Sequence, residues 1–129
     1  MIMTSVIIVD DNEDIVSSLS ELLEFHGINV LGKGYNGFDA VQLFNQHNPD
    51  VVLLDLQMPE YDGLYALRII REKDVKASVI IITGGIPESQ SDEIHLLRPV
   101  KIMIKPVDVN TLLESILEES SKNLSFKIN

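Results

Sequence analysis

An α/β fold with one doubly wound, five-stranded parallel sheet is predicted by three observations. Five short apolar runs, at residues 6–9, 28–31, 51–54, 79–82 and 102–104, alternate with stretches of helical periodicity. The run at 51–54 is continuous, as a strand covered on both faces must be, because a half-exposed strand would alternate. Hydrophobic residues make up 45% of the chain but aromatics only 5%, so the core is mostly Val, Ile and Leu, which suits parallel strands under helices. Right-handed crossovers then favour the strand order 2-1-3-4-5, with helices on both faces.

The elements follow in order. Strand one ends in Asp10-Asp11, and a helix begins near Asn12 and Glu13 with Ile15, Leu19, Leu22 and Leu23 on one face. His26-Gly27 stops it. Strand two follows at 28–31, then a helix with Phe38, Val41 and Phe44 on one side, ending before Asn48-Pro49. After strand three, Asp62 is read as the N-cap of a helix that starts at Gly63 and carries Leu64, Leu67 and Ile70. Strand four closes on Thr83-Gly84-Gly85. Residues 88–97 are weakly helical, with little apolar face beyond Ile94, Leu96 and Leu97. Strand five runs into Lys105-Pro106, and the last helix spaces Val109, Leu112, Leu113, Ile116 and Leu117. Residues 1–122 are expected to form one domain and 123–129 a tail, with no effector domain.

A net charge of −10 argues against direct nucleic-acid binding, which needs cations to neutralise phosphates. Without cysteine, neither a disulfide framework nor a thiolate metal site is possible. No apolar run approaches the roughly 20 residues of a membrane span, so no membrane insertion is expected and a cytoplasmic location is.

The chemistry centres on Asp55. It ends a buried parallel strand and so faces the crevice where open α/β sheets bind ligands. In the order 2-1-3-4-5 the first and third strands are neighbours, so Asp10, Asp11 and Asp55 should meet, with Thr83 and Lys105 arriving from strands four and five. Two unit charges at about 4 Å repel by about 4 kcal/mol at an effective dielectric near 20. A hard divalent cation relieves this, and oxygen ligands with positions left for water suit Mg²⁺. Asp10 and Asp11 would hold it, Asp55 would share it, and the Gln57 main-chain carbonyl is a further candidate ligand. With Lys105 as a fixed positive charge and Thr83 as a hydroxyl donor, the set describes phosphoryl transfer to Asp55 as nucleophile.

With these pieces in place the chain resembles the receiver domains of two-component response regulators, from about residue 6 to 117. The matching residues are Asp10-Asp11, Asp55, Met58-Pro59 with Asp62-Gly63, Thr83 and Lys105-Pro106, each after the appropriate strand, with Gly37, Ala40 and Pro49-Asp50 also fitting. The resemblance implies a flavodoxin-like fold and a phosphoryl group taken by Asp55 from a phosphohistidine on a sensor histidine kinase. It implies that Thr83 turns toward the phosphate and alters the face of helix four, strand five and helix five, which a downstream protein partner reads. A phosphorylation-dependent dimer stays open. It also implies a cis bond before Pro106. Three positions depart from the family: Ile102 stands where a Tyr or Phe is common, Leu97-Arg98-Pro99 where Gly and Ala are, and Gly84 where Ala is.

Three rival readings account for less of the sequence. The Gly32–Gly37 stretch spells G-x-G-x-x-G, but a dinucleotide site would leave Asp10, Asp11, Thr83 and Lys105 without a task. A phosphatase of the haloacid dehalogenase class needs an acid two residues after its nucleophile, and Gln57 and Asn12 stand two after Asp55 and Asp10. A phosphate-independent interaction module would not require the acids, Thr83 and Lys105 together. His26, His47 and His95 lack the spacing of ligands.

Overall fold

The computed structural model describes residues 3–128. Strands β1 (Ser5–Val9), β2 (Asn29–Gly34), β3 (Val51–Leu54), β4 (Val79–Thr83) and β5 (Lys101–Ile104) form one sheet in the order β2-β1-β3-β4-β5. All four pairings are parallel. The expected flavodoxin-like arrangement is the one observed.

Side chains alternate across the pleat and build two cores. Ile7, Val9, Val52, Leu54, Val79 and Ile81 face helices α2 (Gly37–His47), α3 (Gly63–Lys73) and α4 (Ser91–Leu96). Val6, Ile8, Leu53, Ile80 and Ile82 face α1 (Glu13–Phe25) and α5 (Val109–Ile128). The helix starts are capped as their sequences foretell. The Asn12 side chain accepts from the N–H groups of Asp14 and Ile15, and Asp62 from that of Tyr65. Gly27, at φ +82, takes the left-handed turn after α1, a conformation that costs a glycine little.

The structure differs from the sequence expectation in four places. β2 runs on to Gly34, and Gly32 lets Leu43 of α2 lie flat on the strand: a Cβ there would stand 2.6 Å from Leu43 Cδ2. The glycine pattern thus serves helix-on-strand packing. Phe38 is not core; it is 45% exposed with its ring 5.6 Å from Tyr61, and α2 buries Gly37, Ala40, Val41 and Phe44 instead. The weak segment at 88–97 resolves into a 3-10 turn at Glu88–Gln90 and the six-residue α4, of which Ile94 alone is fully buried while Leu96 is exposed. Finally, the stretch read as a tail continues α5 to Ile128. The Glu and Lys residues at 118–122 favour helix without showing an apolar period. Glu119 is buried and accepts from Ser78 Oγ at 3.0 Å, and Asn123 Nδ2 donates to the Asp50 carbonyl at 3.1 Å.

Between α3 and α4 lies a cation that the sequence did not reveal. Arg71 is buried, and its guanidinium donates to the carbonyls of Asp74, Val75 and Ala77 beyond α3 and of Leu97 and Arg98 beyond α4. These carbonyls lie around the negative ends of two helix dipoles, where a cation is stabilised. Arg98 takes φ +53, a strained value for a residue with a side chain, and its carbonyl is held by Arg71 at 3.0 Å.

Candidate functional site

The carboxyl edge of the sheet creates the site. β1 and β3 pair in register, Val9 beside Leu54, and the Asp55 N–H donates to the Val9 carbonyl at 3.0 Å. Asp10 and Asp55 therefore leave adjacent strands side by side, each only 5% exposed, and Asp11 stands beside them in solvent. One carboxylate oxygen from each lies within 4.8 Å of the others.

Lys105 reaches in from the end of β5. Its N–H donates to the Thr83 carbonyl at 2.8 Å, and its Nζ lies 2.6 Å from Asp10 Oδ2 and 3.2 Å from Asp55 Oδ2. Asp10 is held on its other oxygen too, by the Asn12 N–H at 3.0 Å. Burial alone would lower the Lys105 pKa; the hydrogen bond to Asp10 and the charges of Asp55 and Asp10 outweigh it, and the ammonium is held above its ordinary value. The Lys105–Pro106 bond is cis, as expected.

Thr83 and Gln57 sit differently. Thr83 ends β4 fully buried, and its hydroxyl donates to the Gly85 carbonyl at 3.0 Å, within its own loop. Gln57 is exposed, with its N–H 3.4 Å from Asp55 Oδ1. The structure therefore gathers Asp10, Asp11, Asp55 and Lys105 at one point, with Thr83 on the neighbouring strand end and Gln57 on the loop above.

That loop is fixed by contacts invisible in the sequence. The Gly63 N–H donates to the Leu56 carbonyl at 2.9 Å, and the Gly37 N–H to the Tyr61 carbonyl at 2.6 Å. The Asp-Gly pair at 62–63 signalled a turn, but nothing signalled how closely it returns over Asp55. Beside Lys105 an apolar groove of about 680 Å³ opens between α1 and the segment after β5, lined by Ile15, Leu19, Leu22, Ile82 and Val107.

Three carboxylates and one ammonium leave this pocket with a formal charge of −2. The donor set is all oxygen, two parts buried and one open to water, and it suits a hard dication better than a soft one.

A doubly wound sheet whose acids gather where the strand order reverses defines a class: α/β proteins that act through carboxylates at the strand ends. A sequence profile of the response regulator receiver domain matches residues 6–117, and the chain belongs to that family, whose members act in two-component signal transduction. It is 35% identical over 116 residues to protein PilH of Pseudomonas aeruginosa, covering 88% of this chain and 95% of that one. It is 30% identical to the chemotaxis protein CheY of Bacillus subtilis, covering 86% of this chain and 92% of that one. Among solved structures, a CheX–CheY–BeF3–Mg²⁺ complex from Borrelia burgdorferi superimposes with a TM-score of 0.80 at 30% identity, over 89% of this chain and 87% of that one. Among the described residues, no helix is long and apolar enough to cross a membrane.

Proposed function

We propose that Asp55 is the phosphoacceptor of this receiver, modified by a phosphohistidine on a sensor histidine kinase, and that the modified form changes its binding to a downstream protein partner. The observation that carries this reading is Lys105 Nζ placed between Asp10 and Asp55, 2.6 and 3.2 Å away. A lysine so placed neutralises charge at the very carboxylate that must approach an anionic phosphoryl group.

In the transfer, an Asp55 carboxylate oxygen forms the new bond to phosphorus, the P–N bond breaks, and the histidine leaves with its electron pair. The product is an aspartyl phosphate. Lys105 keeps its shorter contact to Asp10 and moves its longer one from Asp55 to a phosphoryl oxygen. Thr83 exchanges the Gly85 carbonyl for a phosphoryl oxygen as acceptor of its hydroxyl. Asp10, Asp11, Asp55 and the Gln57 carbonyl would hold Mg²⁺, which when bound supplies neutralisation of the transferring group. The related Borrelia burgdorferi protein is described with BeF3 and Mg²⁺, which supports extending both to this chain. The apolar groove beside Lys105 is a suitable seat for the helix that presents the phosphohistidine.

Acetyl phosphate with Mg²⁺ is expected to label the wild-type protein, and EDTA to prevent it. Asp55→Asn is expected to take up no label. Labelling that persists at another residue in that variant excludes Asp55 as the acceptor.

A further inference from the structure

α4 has little to hold it by apolar contact. Six residues are too few to be helical on their own, and Ile94 is its one fully buried side chain. What ties it down is polar and comes from one neighbour. At the top of α3, Asp62 Oδ2 accepts from Gln90 Nε2 at 3.4 Å. Two turns further on, Arg68 grips Glu93 with two nitrogens, Nε on one carboxylate oxygen and Nη2 on the other at 2.6 Å. At the bottom, Arg71 holds the carbonyls of Leu97 and Arg98 at 2.8 and 3.0 Å. The three links follow α3 from its N-cap to its last turn and meet, in the same order, the 3-10 turn before α4, α4 itself and the two residues just after it.

Their upper end touches the site. Asp62 caps α3 and precedes Gly63, which lies on the Asp55 main chain, so Asp62 cannot shift without the loop that carries Asp55. Phosphorylation replaces the single negative charge of the Asp55 carboxylate with a phosphoryl group carrying about −1.5 to −2, a net addition of about −0.5 to −1 at that loop. Ile102, where the family commonly has an aromatic lever, is half-buried and packs on the α3 side of the sheet.

We propose that this α3–α4 ladder is the device that keeps α4 docked in the unmodified protein, and that it couples α4 to the phosphorylation state of Asp55 through Asp62. The proposal rests on the phosphoacceptor reading above. It follows that loosening the ladder favours the modified state, because α4 then has less to give up on moving, and that a ligand at Asp55 loosens α4 in return.

The test uses the upper two links, which are solvent-exposed or partly so and whose loss leaves both cores intact. In the double variant Arg68→Gln, Gln90→Met, amide exchange over residues 91–97 in the unmodified protein is expected to rise about two- to fivefold, as loss of exposed ion pairs allows, with β4 unchanged. With Mg²⁺ present, beryllofluoride is expected to bind the variant more tightly than wild type by a similar factor, followed by NMR. Unchanged exchange at 91–97 overturns the ladder. Raised exchange with unaltered beryllofluoride affinity overturns the coupling. A wild-type protein that binds no beryllofluoride overturns the phosphoacceptor reading and the coupling with it, and the exchange arm still decides whether the ladder docks α4.

Discussion

Gly63 lies against Asp55 so closely that a Cβ on the glycine would stand 2.1 Å from the Asp55 carbonyl oxygen. No flexible side chain is available there to yield; the obstacle is main chain. The loop of residues 55–62 is therefore folded back onto the residue that begins it, and Gly63 is required by space rather than by backbone angle.

Gly63→Ala is accordingly expected to displace the Asp55 main chain. Overpacking of this kind costs about 1–3 kcal/mol, which urea unfolding measures. A shift of about 1 Å in a reacting group can cost about 100-fold in rate, so labelling by acetyl phosphate is expected to slow by up to that factor. A variant with wild-type stability and wild-type labelling would show that the turn yields without moving the acid.

Arg71→Met keeps most of the buried volume and removes the donors. A carbonyl left buried without a partner costs about 1–3 kcal/mol. Of the five that Arg71 serves, Asp74 also accepts from the Ala77 N–H, and Val75 and Arg98 are exposed and can turn to water, so the expected loss of stability stays within that range, read from chemical denaturation. Arg71→Lys is expected to rescue little, since an ammonium cannot serve acceptors on both helix ends with a planar fork. Wild-type stability in either variant would mean that water replaces the guanidinium freely.

The Glu93 carboxyl is held below its ordinary value, chiefly by its hydrogen bond from Arg68, which outweighs the opposing effect of burial; the Arg68 charge adds a lesser pull in the same direction. A depressed folded-state pKa stabilises the fold above the ordinary Glu value, and the contribution fades as pH falls through the folded value. Carbon-detected NMR is expected to place the Glu93 midpoint below about 4.3, and Arg68→Gln to return it there. An unshifted midpoint in wild type would show that the pair does not persist in solution.

Much of this architecture was legible from residues alone. Val51, Val52, Leu53 and Leu54 are buried because a run without alternation has no polar face to offer water, and the same logic located β1 and β4. Asp10, Asp55 and Lys105 were legible because each directly follows such a run, so strand order alone brings them together. Less visible was anything that depends on the main chain as partner. Arg71 looks like an ordinary polar residue near a helix end, since its acceptors are carbonyls that no side-chain pattern announces. Gly32 and Gly34 ended the apolar signal of β2 although the strand continues through them. Thr83 ends β4 as its apolar run predicts, whereas the direction of its hydroxyl, toward Gly85, follows from a loop conformation that Gly84 leaves undetermined in the sequence.

The pairing of β1 with β3 also has a temporal side. Between Val9 and Leu54 the chain must complete two helices and the edge strand β2 before those two strands can lie in register. Parallel contacts across such a separation form late, after local helices, because loop closure must precede any reward from the contact. Lys105 stands 95 residues from Asp10 and 50 from Asp55, so the contacts that neutralise the two acids close longer loops than the one that brings the acids together.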